Sequence, residues 1–131
     1  MVDRIIIGNK TFPTIFAISS QEQEKGLMGV KWPPPIMSFP YNYKSYNKFW
    51  MANTPSPLDI IFACQGKIID IQNGEPFSLK AIGGDYLSDL VVEMPQGSCS
   101  AYNIKVGDQI SFEFSDHSIN KLGLFSQIYK K

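Results

Sequence analysis

The apolar residues of this chain fall in short runs rich in β-branched and aromatic side chains. Glycine, proline and asparagine separate the runs, which predicts strands joined by turns. Arg4 to Ile7 and Phe12 to Ile18 read as a first hairpin, with its turn in Gly8-Asn9-Lys10. Ser19 to Gly26 has an N-cap serine, Glu or Gln three residues on, a late lysine and a glycine stop, which predicts a short helix at about 21–25. Lys48 to Met51 is a short apolar strand, halted by Asn53-Thr54-Pro55-Ser56-Pro57. Leu58 to Ala63 and Lys67 to Gln72 flank Cys64-Gln65-Gly66 as the clearest hairpin. In the first of these strands Leu58, Ile60 and Phe62 share one face while Asp59, Ile61 and Ala63 share the other, so both faces are largely apolar.

Leu90 to Met94 is the next strand, stopped by Pro95. Gly97 to Asn103 forms one helical turn with Asn103 as a left-handed terminator, and Ile104 packs back on it. After a turn at Gly107-Asp108, Gln109 to Phe114 alternates Ile110, Phe112 and Phe114 with Ser111 and Glu113, as a half-buried strand does. Two longer segments are expected to be irregular. Lys31 to Tyr46 contains Pro33-Pro34-Pro35 and Pro40 among tyrosines, with a brief strand at Ile36 to Phe39, and Gln72 to Tyr86 is broken by Gly74, Pro76 and Gly83-Gly84. Many strands and two short helices imply an all-β, single-domain antiparallel sandwich or a partly closed barrel. The domain is expected to span residues 1–114. The tail, residues 115–131, is read as an extra strand or helix or as a docking segment.

Composition narrows the function. A chain of 131 residues fits one domain. Twelve Lys+Arg balance twelve Asp+Glu, which leaves no field to hold nucleic acid or an anionic membrane surface by charge. No apolar run approaches the roughly 20 residues of a membrane-spanning helix, and the N-terminus has no signal-peptide core, so the protein is expected in the cytoplasm or within an assembled particle. One His and two Cys do not make a four-ligand zinc site, and no nucleophile motif or phosphate loop occurs; no metal or cofactor is expected. Cys64 and Cys99 are read as reduced packing residues.

Asp59 is the first candidate for chemistry, because a carboxylate among apolar neighbours on a strand must be hydrogen-bonded, paired or protonated. It would serve as a general base or ligand group, or else accept hydrogen bonds from backbone amides and the Asn53-Thr54 turn. Glu93, between Val92 and Met94, poses the same question, and if their strands face each other the two acids would form a carboxylate pair able to divide acid and base roles or hold a divalent ion. The ligand-binding candidates are Trp32, Tyr41, Tyr43, Trp50, Asn53, Thr54 and Asp59. His117 in Ser115-Asp116-His117-Ser118 reads as an exposed turn residue, and Met28, Met37, Met51 and Met94 as core fillers. In the tail, Leu122, Phe125, Ile128 and Tyr129 make an apolar stripe that would complete the domain or dock on a partner.

Several spaced words stand in order along the chain: Gly26-Leu27-Met28, Phe49-Trp50-Met51 with Asn53-Thr54, Pro57-Leu58-Asp59-Ile60, Gly66-Lys67-Ile68, Val92-Glu93, Gly97 and Gly107-Asp108. Together they resemble the DUF192 family from about Ile15 to Ile110. The resemblance implies a jelly-roll β-sandwich and no particular reaction. Members commonly carry an Arg soon after the Gly-Leu-Met word and a Lys between Met and Asn of the Met-x-Asn-Thr word, where this chain has Gly29-Val30-Lys31 and Ala52. If those cations serve an anionic ligand, this chain holds it weakly or not at all, since Lys31 does not reproduce a bidentate Arg.

With no assembled catalytic motif, the leading expectation is a non-enzymatic module that binds a small molecule or other protein subunits, in a homo- or hetero-oligomer. One version is a structural or accessory component of a larger assembly such as a phage particle. The alternative is an enzyme acting on a small molecule or carbohydrate, using Asp59 with Glu93 in a cleft under the 32–46 loop.

Overall fold

The chain changes sheets at Thr14. In a computed structural model, which describes residues 3–115, β1 (Arg4–Ile7) pairs antiparallel with β2 (Lys10–Pro13), and β3 (Ile15–Phe16) belongs to a different sheet. The expected single strand from Phe12 to Ile18 is therefore split. Phe12, Thr14 and Phe16 stay buried in alternation across the break, so the pattern alone does not reveal it. The Thr14 hydroxyl fixes the crossing through the Ser38 hydroxyl at 2.7 Å and the Ile36 carbonyl at 3.3 Å.

Among the described residues three sheets result. The first has the order β10-β1-β2, where β10 is Ile110–Glu113. The second has the order β3-β4-β9-β6-β7, with β4 Met37–Ser45, β6 Leu58–Cys64, β7 Lys67–Gly74 and β9 Ser88–Pro95. The third joins β5 (Lys48–Phe49) to β8 (Ile82–Gly83). Pairing is antiparallel throughout except between β3 and β4, which run parallel. The helices are α1 (Ser20–Lys25) and α2 (Ser98–Ala101). The architecture is an all-β sandwich, as the strand pattern implies.

Two segments expected to be irregular contain strands. β4 runs through Pro40 to Ser45, beyond the expected Ile36 to Phe39, because β3 pairs only with Met37 and Ser38. From there one side of β4 is an edge, where a missing N–H is tolerated. Gln23 covers this edge, its amide donating to the carbonyls of Ala17 and Pro40 at 3.0 and 3.1 Å. In the 72–86 segment, β7 continues to Gly74 and Ile82–Gly83 pairs with Lys48 and Phe49. Gly83 has φ +84°, and a Cβ there would lie 2.4 Å from the ring of Phe62, so no side chain fits without displacing a core aromatic.

β6 and β9 sit at the centre of the five-stranded sheet and are buried on both faces. One face packs Ile61, Ala63, Leu90, Val92 and Met94 against Ile5, Ile7, Phe12 and Phe112 of the three-stranded sheet. The other packs Leu58, Ile60, Phe62 and Val91 against Phe39, Met51, Ala17 and Leu27. Both thiols, Cys64 and Cys99, are free. Among the described residues no helix is long and apolar enough to cross a membrane. The tail candidates Leu122, Phe125, Ile128 and Tyr129, and His117, lie outside the described residues.

Candidate functional site

The two acids of the proposed pair point away from each other. β6 and β9 are directly hydrogen-bonded neighbours, but Asp59 stands opposite Met94 and Glu93 opposite Ile60. Residues facing each other across a ladder share a face, so Asp59 lies on the side of the first core and Glu93 on the side of the second. The paired-acid expectation, including its shared cleft under the 32–46 loop, is corrected by this register. One residue of offset between neighbouring strands decides it, and sequence spacing does not carry that information.

Asp59 is a structural clamp. Its Oδ2 accepts from the backbone amides of Gly97 at 3.1 Å and Cys99 at 3.0 Å, closing the first turn of α2 from across the sheet. Gly97 itself offers α2 no side-chain cap. The Cys99 thiol is pushed up to about 12, first by burial and then by the charge of Asp59 and a hydrogen bond to it. The Asn53-Thr54 turn makes no contribution to Asp59: the Thr54 hydroxyl donates to the Ala52 carbonyl at 3.1 Å, and the Asn53 carbonyl accepts from Gly29 at 2.8 Å.

Glu93 has the opposite character. Its residue is 4% exposed, yet no hydrogen bond or ion pair joins its carboxyl to another described residue. Its oxygens are not sealed; they face a cleft of about 270 Å³. Burial pushes the Glu93 carboxyl up to about 7, and burial together with the Glu93 charge raises Tyr41 far above an ordinary tyrosine.

Three chain segments build the walls. β4 contributes Phe39 and Tyr41. β5 and its continuation supply Lys48, Phe49 and Trp50, with the Phe49 ring edge-on to Phe39 at 5.0 Å. α1 and the following turn bring Lys25, Gly26, Leu27 and Met28. Gly26 adopts φ +48°, and a Cβ there would sit 3.5 Å from the Phe39 ring and 3.8 Å from Glu93 Oε1, so the glycine keeps this space open. The wall depends on a capping box: Ser19 Oγ accepts from the Glu22 amide at 3.1 Å, and Glu22 Oε1 accepts from the Ser19 amide at 3.0 Å. Ser19→Ala is expected to lower stability by about 1 kcal/mol, read as a fall of roughly 4 °C in Tm by circular dichroism. An unchanged Tm would show that α1 is held by the Gln23 contacts instead.

Of the sequence-derived ligand candidates, Tyr41, Trp50 and Thr54 line this cleft with Glu93. Trp32 and Asn53 are exposed outside it, and Tyr43 is exposed beside a neighbouring polar groove with Asn42 and Ser45. Phe39, Phe49, Gly26, Lys25 and Lys48 were not among the candidates. A signal for several of them existed: the words Gly26-Leu27-Met28, Phe49-Trp50, Asn53-Thr54 and Val92-Glu93, far apart in the chain, each place a residue in this one cleft. Among the described residues, no group of three His, Cys, Asp or Glu side chains is placed to hold a metal ion.

A two-core β-sandwich with one buried, unpartnered acid opening into an aromatic cleft is the class of protein defined here. The chain belongs to the DUF192 family, described as Uncharacterized ACR, COG1430, whose model matches residues 4–112. Two solved structures are similar to it. One is a protein of unknown function from Novosphingobium aromaticivorans, at 28% identity over 82% of this chain and 83% of that one, with a TM-score of 0.77. The other is described as a putative transcription regulator from Sinorhizobium meliloti, at 25% identity over 84% of this chain and 92% of that one, also with a TM-score of 0.77. No functionally curated protein matches the chain.

Proposed function

We propose that the protein is a non-catalytic binding module that holds a small molecule in the Glu93 cleft. The observation that carries this reading is the Glu93 carboxyl itself. A buried acid without a partner costs stability, and it is tolerated where a ligand supplies the missing contact. The aromatic walls supply apolar contact at small entropic cost. An enzyme would have to work without Asp59, which lies on the other face of the sheet; among the described residues the acids lining the cleft are the buried Glu93 and the exposed Glu24.

Native mass spectrometry of the full chain isolated from its native cells tests the proposal. A small organic adduct on the protein, lost in Glu93→Gln, is the expected result. An adduct-free spectrum showing an oligomer or a co-purifying subunit would overturn it. That outcome would favour a structural component of a larger assembly, such as a phage particle, and direct attention to the tail residues Leu122, Phe125, Ile128 and Tyr129.

A further inference from the structure

The cleft shares a wall with a second hollow. Lys48, Phe49 and Trp50 also form one side of a second depression of about 290 Å³, completed by Leu79 and Ala81. Each hollow alone lies just below the roughly 300 Å³ at which small-molecule sites begin, and the two together lie within that range. Their chemistry differs. The first holds the buried acid. The second is lined largely by apolar side chains, of which Trp50 and Leu79 are 54% and 71% exposed.

Three features of the inner end favour a cation. Glu93 is its buried charge. The backbone carbonyl of Gln23 in α1 lies there, its oxygen 3.8 Å from where a Gly26 Cβ would stand, and carbonyl oxygens near a helix C-terminus favour cations. The rings of Phe39, Tyr41, Phe49 and Trp50 line it, and aromatic walls attract organic cations. The other charged or titratable groups are Glu24 and Lys25 from α1, Tyr41 from β4 and Lys48 from β5. Both lysines are exposed, and neither comes within ion-pair distance of Glu93.

We infer that the ligand is an amphipathic organic cation. An ammonium or methylated ammonium head is seated between Glu93, Gly26 and Phe39, and an apolar portion crosses Phe49 and Trp50 into the depression at Leu79 and Ala81. This inference rests on the small-molecule reading above and adds the charge and the polarity gradient of the ligand. The head replaces the missing partner of Glu93, and the tail covers side chains otherwise left to water.

Isothermal titration of the full chain with alkyltrimethylammonium ions of four to ten carbons, all below micelle concentration, tests it. Alkyl alcohols and alkyl sulfates of the same lengths are the comparison probes. Affinity for the cations should rise about fourfold per added methylene until the outer hollow is filled. It should also rise about tenfold from pH 6 to pH 8 as Glu93 ionises, because the quaternary head keeps its charge throughout. Glu93→Gln should abolish the pH dependence, and Leu79→Ser, an exposed change, should flatten the chain-length dependence while leaving the pH dependence intact. Alcohols or sulfates binding as tightly as the cations, with loss in Glu93→Gln, would overturn the cation assignment and leave the cleft as a binding site. Binding of no probe class, or binding indifferent to Glu93→Gln, would overturn both.

Discussion

Asp59→Leu is expected to destabilise the domain by about 3 kcal/mol, measured as a lowered urea midpoint with an unchanged slope. The carboxylate oxygen accepts from two backbone amides, and the one on Cys99 is buried. An apolar side chain of similar size leaves both donors without this acceptor, and although Gly97 is exposed to water the Cys99 amide is buried, so the loss exceeds that of an exposed hydrogen bond. Asp59→Asn keeps one carbonyl oxygen in place and should lose only about 1 kcal/mol, the difference between a charge-assisted acceptor and a neutral one. The ordering of the two variants is the diagnostic. If Asp59→Asn kept full stability but abolished ligand binding, Asp59 would be a ligand group and the clamp assignment would fall.

Glu93→Gln is expected to do the reverse and make the protein more stable in alkaline solution. Burial raises the folded-state carboxyl from 4.5 to about 7, so between these values the folded protein binds more protons than the unfolded chain. Stability therefore falls as pH rises through this window, and the full penalty, up to about 3 kcal/mol, is present above pH 8. Below pH 4 the ionisation of Glu93 contributes nothing. Glutamine removes the titrating group, so wild type and variant should have similar urea midpoints at pH 4.5, with the variant ahead at pH 8. Parallel pH profiles for the two proteins would show that the Glu93 carboxyl ionises freely and that the cleft is wetter than its geometry indicates.

These two acids also show how far the sequence is legible. Both stand out as carboxylates among apolar neighbours, and both are buried. Their opposite fates depend on strand register: β6 places Asp59 beside Met94 and beneath the amides of α2, whereas β9 turns Glu93 toward β4 and α1. Hairpins such as Leu58 to Gln72 are readable because their pairing is local and their turn residues are specific. Tyr41 to Ser45 is harder to read, since Pro40 signals an interruption that the edge of β4 absorbs. The sheet change at Thr14 is hidden for another reason, because burial alternates without a break across it. The cleft is assembled from α1, β4, β5 and β9, and no local pattern announces that these will meet.

The partnership of β1 with β10 has a consequence for the order of events during synthesis. Arg4 is paired with Glu113, and Asp3 accepts from the backbone and the hydroxyl of Ser115 at 2.9 and 3.0 Å. Within their own sheet Ile5 and Ile7 therefore have only β2 beside them until β10, the last strand among the described residues, leaves the ribosome. The hairpin β6-β7 and its pairing with β9 can form well before that, while the three-stranded layer waits for residues more than a hundred positions away. Folding governed by so distant a contact is slow, and the first sandwich face closes late.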